Sequence, residues 1–307
     1  MTNTLLDFSR RPELALHARV IADVEAAAAD LGIAPLIAGA FARDLHLHYA
    51  LGVPIQRATL DIDFALAVPD WAAFAALRTH LLQAGLFTEA TGVAHRMRHH
   101  TGWKVDLVPF GGVESPTRKI AWPPQGERVM DVFGFQEALA AAQPVALPGG
   151  VQTRVVSLPG LALLKLVCWQ DRHYQSPRKD ANDLQMIMLH YINAGNEPRL
   201  WDEFVDWTQE DDFEYELVGP RMLGHDLAHL LDVPGRAQIA DPLVSQVNTA
   251  APCILPNEMN TNDPDRAVAW LQAVLRGLLN TKTPTLGIQP PSSRSSGTTA
   301  TCCATTA

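Results

Sequence analysis

The spacing of apolar residues changes along the chain, and each change marks an element. From Glu13 to Leu31 alanine and leucine recur at helical spacing, and Gly32 follows as a stop. Pro35–Ala38 is a short apolar run that predicts a strand, and Gly39 opens a second helix reaching about Leu51. Leu60–Val68 is strand-like, and Trp71–Ala84 predicts a helix ended by Gly85. Leu86–Thr91, His95–His100 and Trp103–Pro109 read as short strands, with a hairpin turn at Thr101-Gly102. Gln136–Ala142 predicts a helix and Gln152–Ser157 a last strand. Beyond Leu158 the spacing is helical over Leu158–Arg172, Lys179–Tyr191, Trp201–Thr208, His225–Leu231 and Pro264–Leu279.

This succession predicts an α+β fold, a small mixed β-sheet with helices on one side followed by a mainly helical C-terminal domain. The expected division is 1–157 for the core and 158–289 for the helical domain. Residues 290–307 are rich in Ser, Thr, Pro and Gly and predict disorder. From Gly297 only Gly, Thr, Ala and Cys occur, which reads as a translated artefact and carries no functional weight.

Composition narrows the function classes. The 307 residues carry a formal net charge of −9, which argues against coating nucleic acid by bulk charge. A local basic site, or nucleotides received through metal ions, stays open. The four cysteines form neither a disulfide framework nor a metal-type spacing, as expected in a reducing cytoplasm. Met1–Glu13 lacks a signal-type apolar core, and Leu158–Trp169 is short and interrupted by Lys165. A soluble cytoplasmic protein without a membrane partner is expected.

The candidate chemistry starts at Leu60-Asp61-Ile62-Asp63-Phe64. Strand side chains alternate faces, so Asp61 and Asp63 point the same way. Two carboxylates side by side on an apolar strand call for a cation between them or for an exposed edge, and oxygen ligands suit Mg²⁺. Asp106, in Trp103-Lys104-Val105-Asp106-Leu107, is a third carboxylate on an apolar strand. It converges on the pair if the strands are neighbours, and it forms a salt bridge with a nearby cation otherwise. Gly39 joins a strand to a helix, where backbone can approach a phosphate closely. Lys165 stands on a leucine-rich helix, where it either meets an anion or snorkels to the surface. Lys179, Asp180 and Asp183 open the next helix and either support a nucleotide site or, for the two acids, simply suit the helix dipole. The run His95-Arg96-Met97-Arg98-His99-His100 reads as a basic patch or a solvated strand face. No zinc is assigned to the histidines.

Together, Gly39-Ala40, Asp61-Ile62-Asp63 and Asp106 resemble the nucleotidyltransferase superfamily with a polymerase-β-type core. The span from about Leu36 to Leu189 resembles the AbiEii/AbiGii-type toxin nucleotidyltransferases, with Lys165 through Asp183 similar to their lysine helix and following acidic helix. The resemblance implies two-metal nucleotidyl transfer. Asp61, Asp63 and Asp106 would be catalytic and would hold two Mg²⁺ ions, Mn²⁺ being an alternative. Gly39, Ala40, Arg43, Lys165, Asp180 and Asp183 would bind the nucleotide, so the helical domain would complete that site. The implied partners are a nucleoside triphosphate, an RNA (tRNA in some relatives) or protein acceptor, and a cognate antitoxin, in a toxin–antitoxin or phage-defence system. Ala40 stands where the family usually has Ser or Gly, and the interval from Ala40 to Asp61 is longer than usual. Both departures bear on nucleotide choice and rate. The competing readings are a degenerate nucleotidyltransferase-fold antitoxin or binding module, and an Asp-x-Asp glycosyltransferase.

Overall fold

The computed structural model describes residues 5–55, 59–248 and 253–280. The chain enters through β1 (Leu6–Asp7), a 3₁₀ turn at Pro12–Leu14 and α1 (Ala15–Ala29). β2 (Pro35–Ala38) runs into α2 (Gly39–Asp44), which continues as a wider π-helical turn over Leu45–Tyr49. β3 (Asp61–Val68), α3 (Trp71–Gln83), β4 (Phe87–Glu89), β5 (Arg96–His99) and β6 (Lys104–Gly111) follow. A separate ribbon of β7 (Lys119–Ala121) and β8 (Val129–Asp131) precedes α4 (Phe135–Ala140). Two further strands, β9 (Gln143–Leu147) and β10 (Val151–Val155), close the β structure.

The sheet has eight strands in the order β1-β9-β10-β2-β3-β6-β5-β4. It is mixed: β3 runs parallel to β6, whereas β2–β3, β5–β6 and β9–β10 are antiparallel. The α+β class is as expected, but the sheet is larger than the small one predicted. The additional strands β1 and β9 are short or contain proline, and neither alternates clearly. Helices also flank both faces rather than one. α1 lies where His99 of β5 meets Asp23, on the face opposite Arg96 and Arg98. The other face, with Asp63 and Ala65 of β3, is covered by Leu161, Leu164 and Lys165.

Those last residues belong to α5 (Leu158–Arg172), capped by the Ser157 hydroxyl accepting from Gly160 N–H. From here the chain is helical: α6 (Lys179–His190), α7 (Glu197–Asp202), α8 (Tyr215–Leu230), α9 (Val233–Val247), α10 (Ile254–Glu258) and α11 (Pro264–Leu279). α8 starts ten residues before the helix expected at His225, and α9 was not expected. Both carry proline and glycine inside, at Gly219-Pro220 and Gly224 in α8 and at Pro242 in α9, which read as breaks in the sequence. Burial overrides them: α8 packs against α11 where a Cβ on Gly224 would lie 1.9 Å from the Val274 carbonyl oxygen. A Cβ on Gly277 would likewise lie 2.0 Å from the Arg221 oxygen, so the glycines set the helix separation. One continuous apolar core runs from Phe8 through β3 and α5 to Leu278. No helix among the described residues is long and apolar enough to cross a membrane. The tail at 290–307 lies outside the described residues.

Candidate active site

Register brings the predicted carboxylates together. β3 and β6 pair with Asp61 beside Lys104 and Asp63 beside Asp106. Side chains at paired positions share a face, about 5 Å apart across neighbouring strands. β5 adds a third column, with Arg96 beside Asp106 and Arg98 beside Lys104. The face therefore carries two rows of charge, Asp61–Lys104–Arg98 and Asp63–Asp106–Arg96. The opposite face of β3, at Ile62, Phe64 and Leu66, is fully buried.

Arg96 is the closest cation. Its Nε donates to Asp106 Oδ1 at 2.6 Å and its Nη2 to Asp106 Oδ2 at 2.6 Å, while Nη2 also reaches Asp61 Oδ2 at 3.1 Å. A bidentate fork of this kind fixes the orientation of Asp106. His95 stands beside it, Nε2 3.7 Å from Asp106 Oδ2; burial pushes its pKa down against the pull of Asp106. Arg96 and His95 were read from the sequence only as part of a basic patch or a solvated strand face, and neither was matched to Asp106. The signal was there: a turn centred on Thr101 in the predicted hairpin places Arg96 across from Asp106.

Asp63 is the exception in this network. Among the described residues no hydrogen bond or ion pair reaches its carboxylate, and its pKa is raised to about 6, by burial first and then by Asp106 and Asp61. Lys179 and Lys165 offset part of that rise. Gly39 sits directly against it. Its φ is +67°, and a Cβ there would fall 1.8 Å from Asp63 Oδ2. Only glycine lets the strand-to-helix turn pass so close to the acid. Ala38, which precedes it, pairs with Asp63 across β2 and β3. Ala40 is buried and lines the same cleft.

The charged residues predicted to bind nucleotide, Arg43, Lys165, Asp180 and Asp183, form a buried ion network behind the cleft. Lys165 Nζ lies 2.5 Å from Asp183 Oδ2 and 3.0 Å from Asp180 Oδ1. Arg43 pairs with the other Asp183 oxygen and, at 2.6 Å, with Asp44. Burial pulls the Lys165 pKa down, but Asp183 and Asp180 override it and the net direction is up. Asp183 is correspondingly held low, Lys165 and Arg43 outweighing its burial. Two buried cations and three buried carboxylates thus tie α2, α5 and α6 into one unit. Lys165 and Lys179 also line the cleft with Gly39, Asp63 and Asp106, and among the described residues Lys179 makes no ion pair. The cleft encloses about 110 Å³, room for phosphates but less than the roughly 300 Å³ of a full small-molecule site. Lys179 also borders a cavity of about 560 Å³ lined by Arg43, His48, Asn182 and Asn260.

Comparison with solved structures finds loose likenesses. Among solved structures, the antibiotic-resistance factor ANT(2'')-Ia aligns at 15% identity and a TM-score of 0.35, over 63% of this chain and 92% of that one. A second structure of that factor, in complex with adenylyl-2''-tobramycin, aligns at 14% and 0.37, over 64% and 98%. An antigenic nucleotidyltransferase-like protein from Paracoccidioides brasiliensis aligns at 19% and 0.36, over 62% and 90%. Likenesses this loose carry no argument about chemistry. No curated protein matches. The family model described as "Nucleotidyl transferase AbiEii toxin, Type IV TA system" matches residues 27–266, which cover seven of the sheet's eight strands, the aspartate cleft and the helices that close it. The chain belongs to the AbiEii nucleotidyl transferase toxin family.

Proposed function

We propose that this protein transfers a nucleoside monophosphate from a nucleoside triphosphate to an RNA, tRNA included, or to a protein acceptor, with Mg²⁺ held by Asp61, Asp63 and Asp106. One observation carries the reading: carboxylates from two adjacent parallel strands meet a left-handed glycine at a strand-to-helix turn. The donor set fits the ion. It is all oxygen, and Asp63 has a raised pKa and no positive partner within bonding distance. Bound there, the metal would neutralise the triphosphate and stabilise charge developing on the transferred phosphoryl group.

The chain's own groups divide the remaining work. Gly39 gives the phosphates room beside Asp63. Lys179 supplies positive charge from the cleft wall, and Lys165 supplies less because Asp180 and Asp183 already share it. Asp106, aimed by Arg96, accepts the proton of the attacking hydroxyl at a carboxylate oxygen. We place the protein as the toxin of a toxin–antitoxin pair, with a cognate antitoxin as its partner, on the strength of its family.

The test incubates the protein with each labelled nucleoside triphosphate, Mg²⁺ and total RNA, beside the Asp61→Ala/Asp63→Ala variant. Label should pass to RNA or protein, and should be lost in the variant and on chelation. Absence of transfer with every triphosphate overturns the reading.

A further inference from the structure

A second cavity lies away from the aspartate cleft. It encloses about 750 Å³ and is bordered by the N-terminal part of the chain at Leu6 and His46 and by the helices at Ser157, Arg199, His225 and His229. His225 and His229 are four residues apart on α8, so they share a helix face. Their rings lie 4.4 Å apart, centre to centre.

The hydrogen bonds fix which nitrogen of each ring is bare. His225 Nδ1 faces Asp226 Oδ1 at 3.2 Å, and His229 Nδ1 faces the His225 backbone oxygen at 2.8 Å. Both partners are acceptors, so each Nδ1 must carry the proton. Each neutral ring then presents a lone pair at Nε2, and among the described residues neither Nε2 has a hydrogen-bond partner. Metal-ligating histidines are dressed in this way, the second nitrogen donating to a carboxylate or a backbone carbonyl.

Asp226 is built as the orienting group. It is 2% exposed. Arg199 grips both its oxygens, at 2.6 and 2.8 Å, and Tyr191 donates to Oδ2 at 2.5 Å. With His225 these donors fill its lone pairs, so Asp226 aims a ligand rather than being one. The Phe204 ring stands edge-on to His225, 4.9 Å away, and limits its rotation. In the sequence these histidines were not assigned to zinc, although the helix expected over His225–Leu231 already held their four-residue spacing.

From this geometry we infer a binding site for a borderline divalent transition metal, Zn²⁺ foremost, on His225 Nε2 and His229 Nε2, with water completing the coordination. The site is empty. It is separate from the aspartate cleft, whose oxygen donors suit a harder ion.

The experiment titrates the full-length protein with Zn²⁺ against a chromophoric chelator, in parallel with His229→Ala, His225→Ala and the distant control His80→Ala. Wild type and His80→Ala should each bind one ion that both other variants lose or hold at least about tenfold more weakly. Co²⁺ substitution should give ligand-field bands without thiolate charge-transfer absorption, which separates this site from any cysteine-borne ion. His229 is exposed, so its variant should keep the wild-type melting temperature in chelator. Zn²⁺ should raise the melting temperature of wild type but not of His229→Ala. Zinc binding that survives His229→Ala in a folded protein, or no saturable binding in wild type, overturns the inference.

Discussion

At the scale of single residues, Gly39 and Asp63 constrain each other. Gly39→Ala must place a Cβ where Asp63 Oδ2 now sits and must hold an L-residue at φ +67°. The backbone term alone costs about 1–2 kcal/mol. The greater effect is on the carboxylate, which has to move by an ångström or more. Transfer should fall on the order of 100-fold while the fold persists, as activity assays beside circular dichroism would reveal. Asp63 also sets a pH dependence in metal-free protein. Its native pKa of about 6 stands above the ordinary 3.8. As pH rises through that window, the native state releases a proton that the unfolded chain has already lost. Stability therefore falls with rising pH there, the reverse of a salt-bridged aspartate. In EDTA, Asp63→Asn should melt higher than wild type above pH 6, and the difference should vanish below about pH 3.8, where both states of wild type are protonated. An unchanged difference across that range would show that Asp63 is not the group responsible.

At the scale of elements, the closest approach is between α8 and α11. Gly224→Ala and Gly277→Ala each drive a methyl group into the backbone of the facing helix. Each should cost about 1–3 kcal/mol in urea denaturation. The double variant should cost less than the sum, because one displacement makes room for the other methyl. These helices also show where the sequence was silent. Gly219, Pro220 and Gly224 are poor helix formers judged locally, and only the packing of α8 against α11 and α6 explains them. The aspartate strand, by contrast, was legible. Its alternation of acids and large apolar residues is a local property, and the structure starts it within one residue of the expected position. The pairing of β3 with β6 was open in the sequence, since parallel partners are joined through a long crossover. The hairpin that brings Arg96 to Asp106 was legible in its turn and overlooked in its register. The ion partners of Lys165 were half legible: burial demanded an anion, but nothing local chose Asp183 over solvent.

At the scale of the whole molecule, the Lys165 network joins what the sequence divides near Ser157. Arg43 comes from the sheet-bearing part and Asp183 from the helical part. Lys165→Met leaves two buried carboxylates with fewer positive partners, and should cost about 3–5 kcal/mol by chemical denaturation. Adding Asp180→Asn should recover part of that loss, since it removes one of the stranded charges. If Lys165→Met instead unfolded like wild type but failed to transfer label, Lys165 would be catalytic and not structural. The paired strands β3 and β6 have a consequence of another kind. Each is flanked on its outer side by a further strand, β2 or β5, so neither can peel away alone. The acids they carry cannot fray as a loop would; they part only when the sheet does. Such a ligand set has the lifetime of the native state, and it is kept whole or lost in a single step.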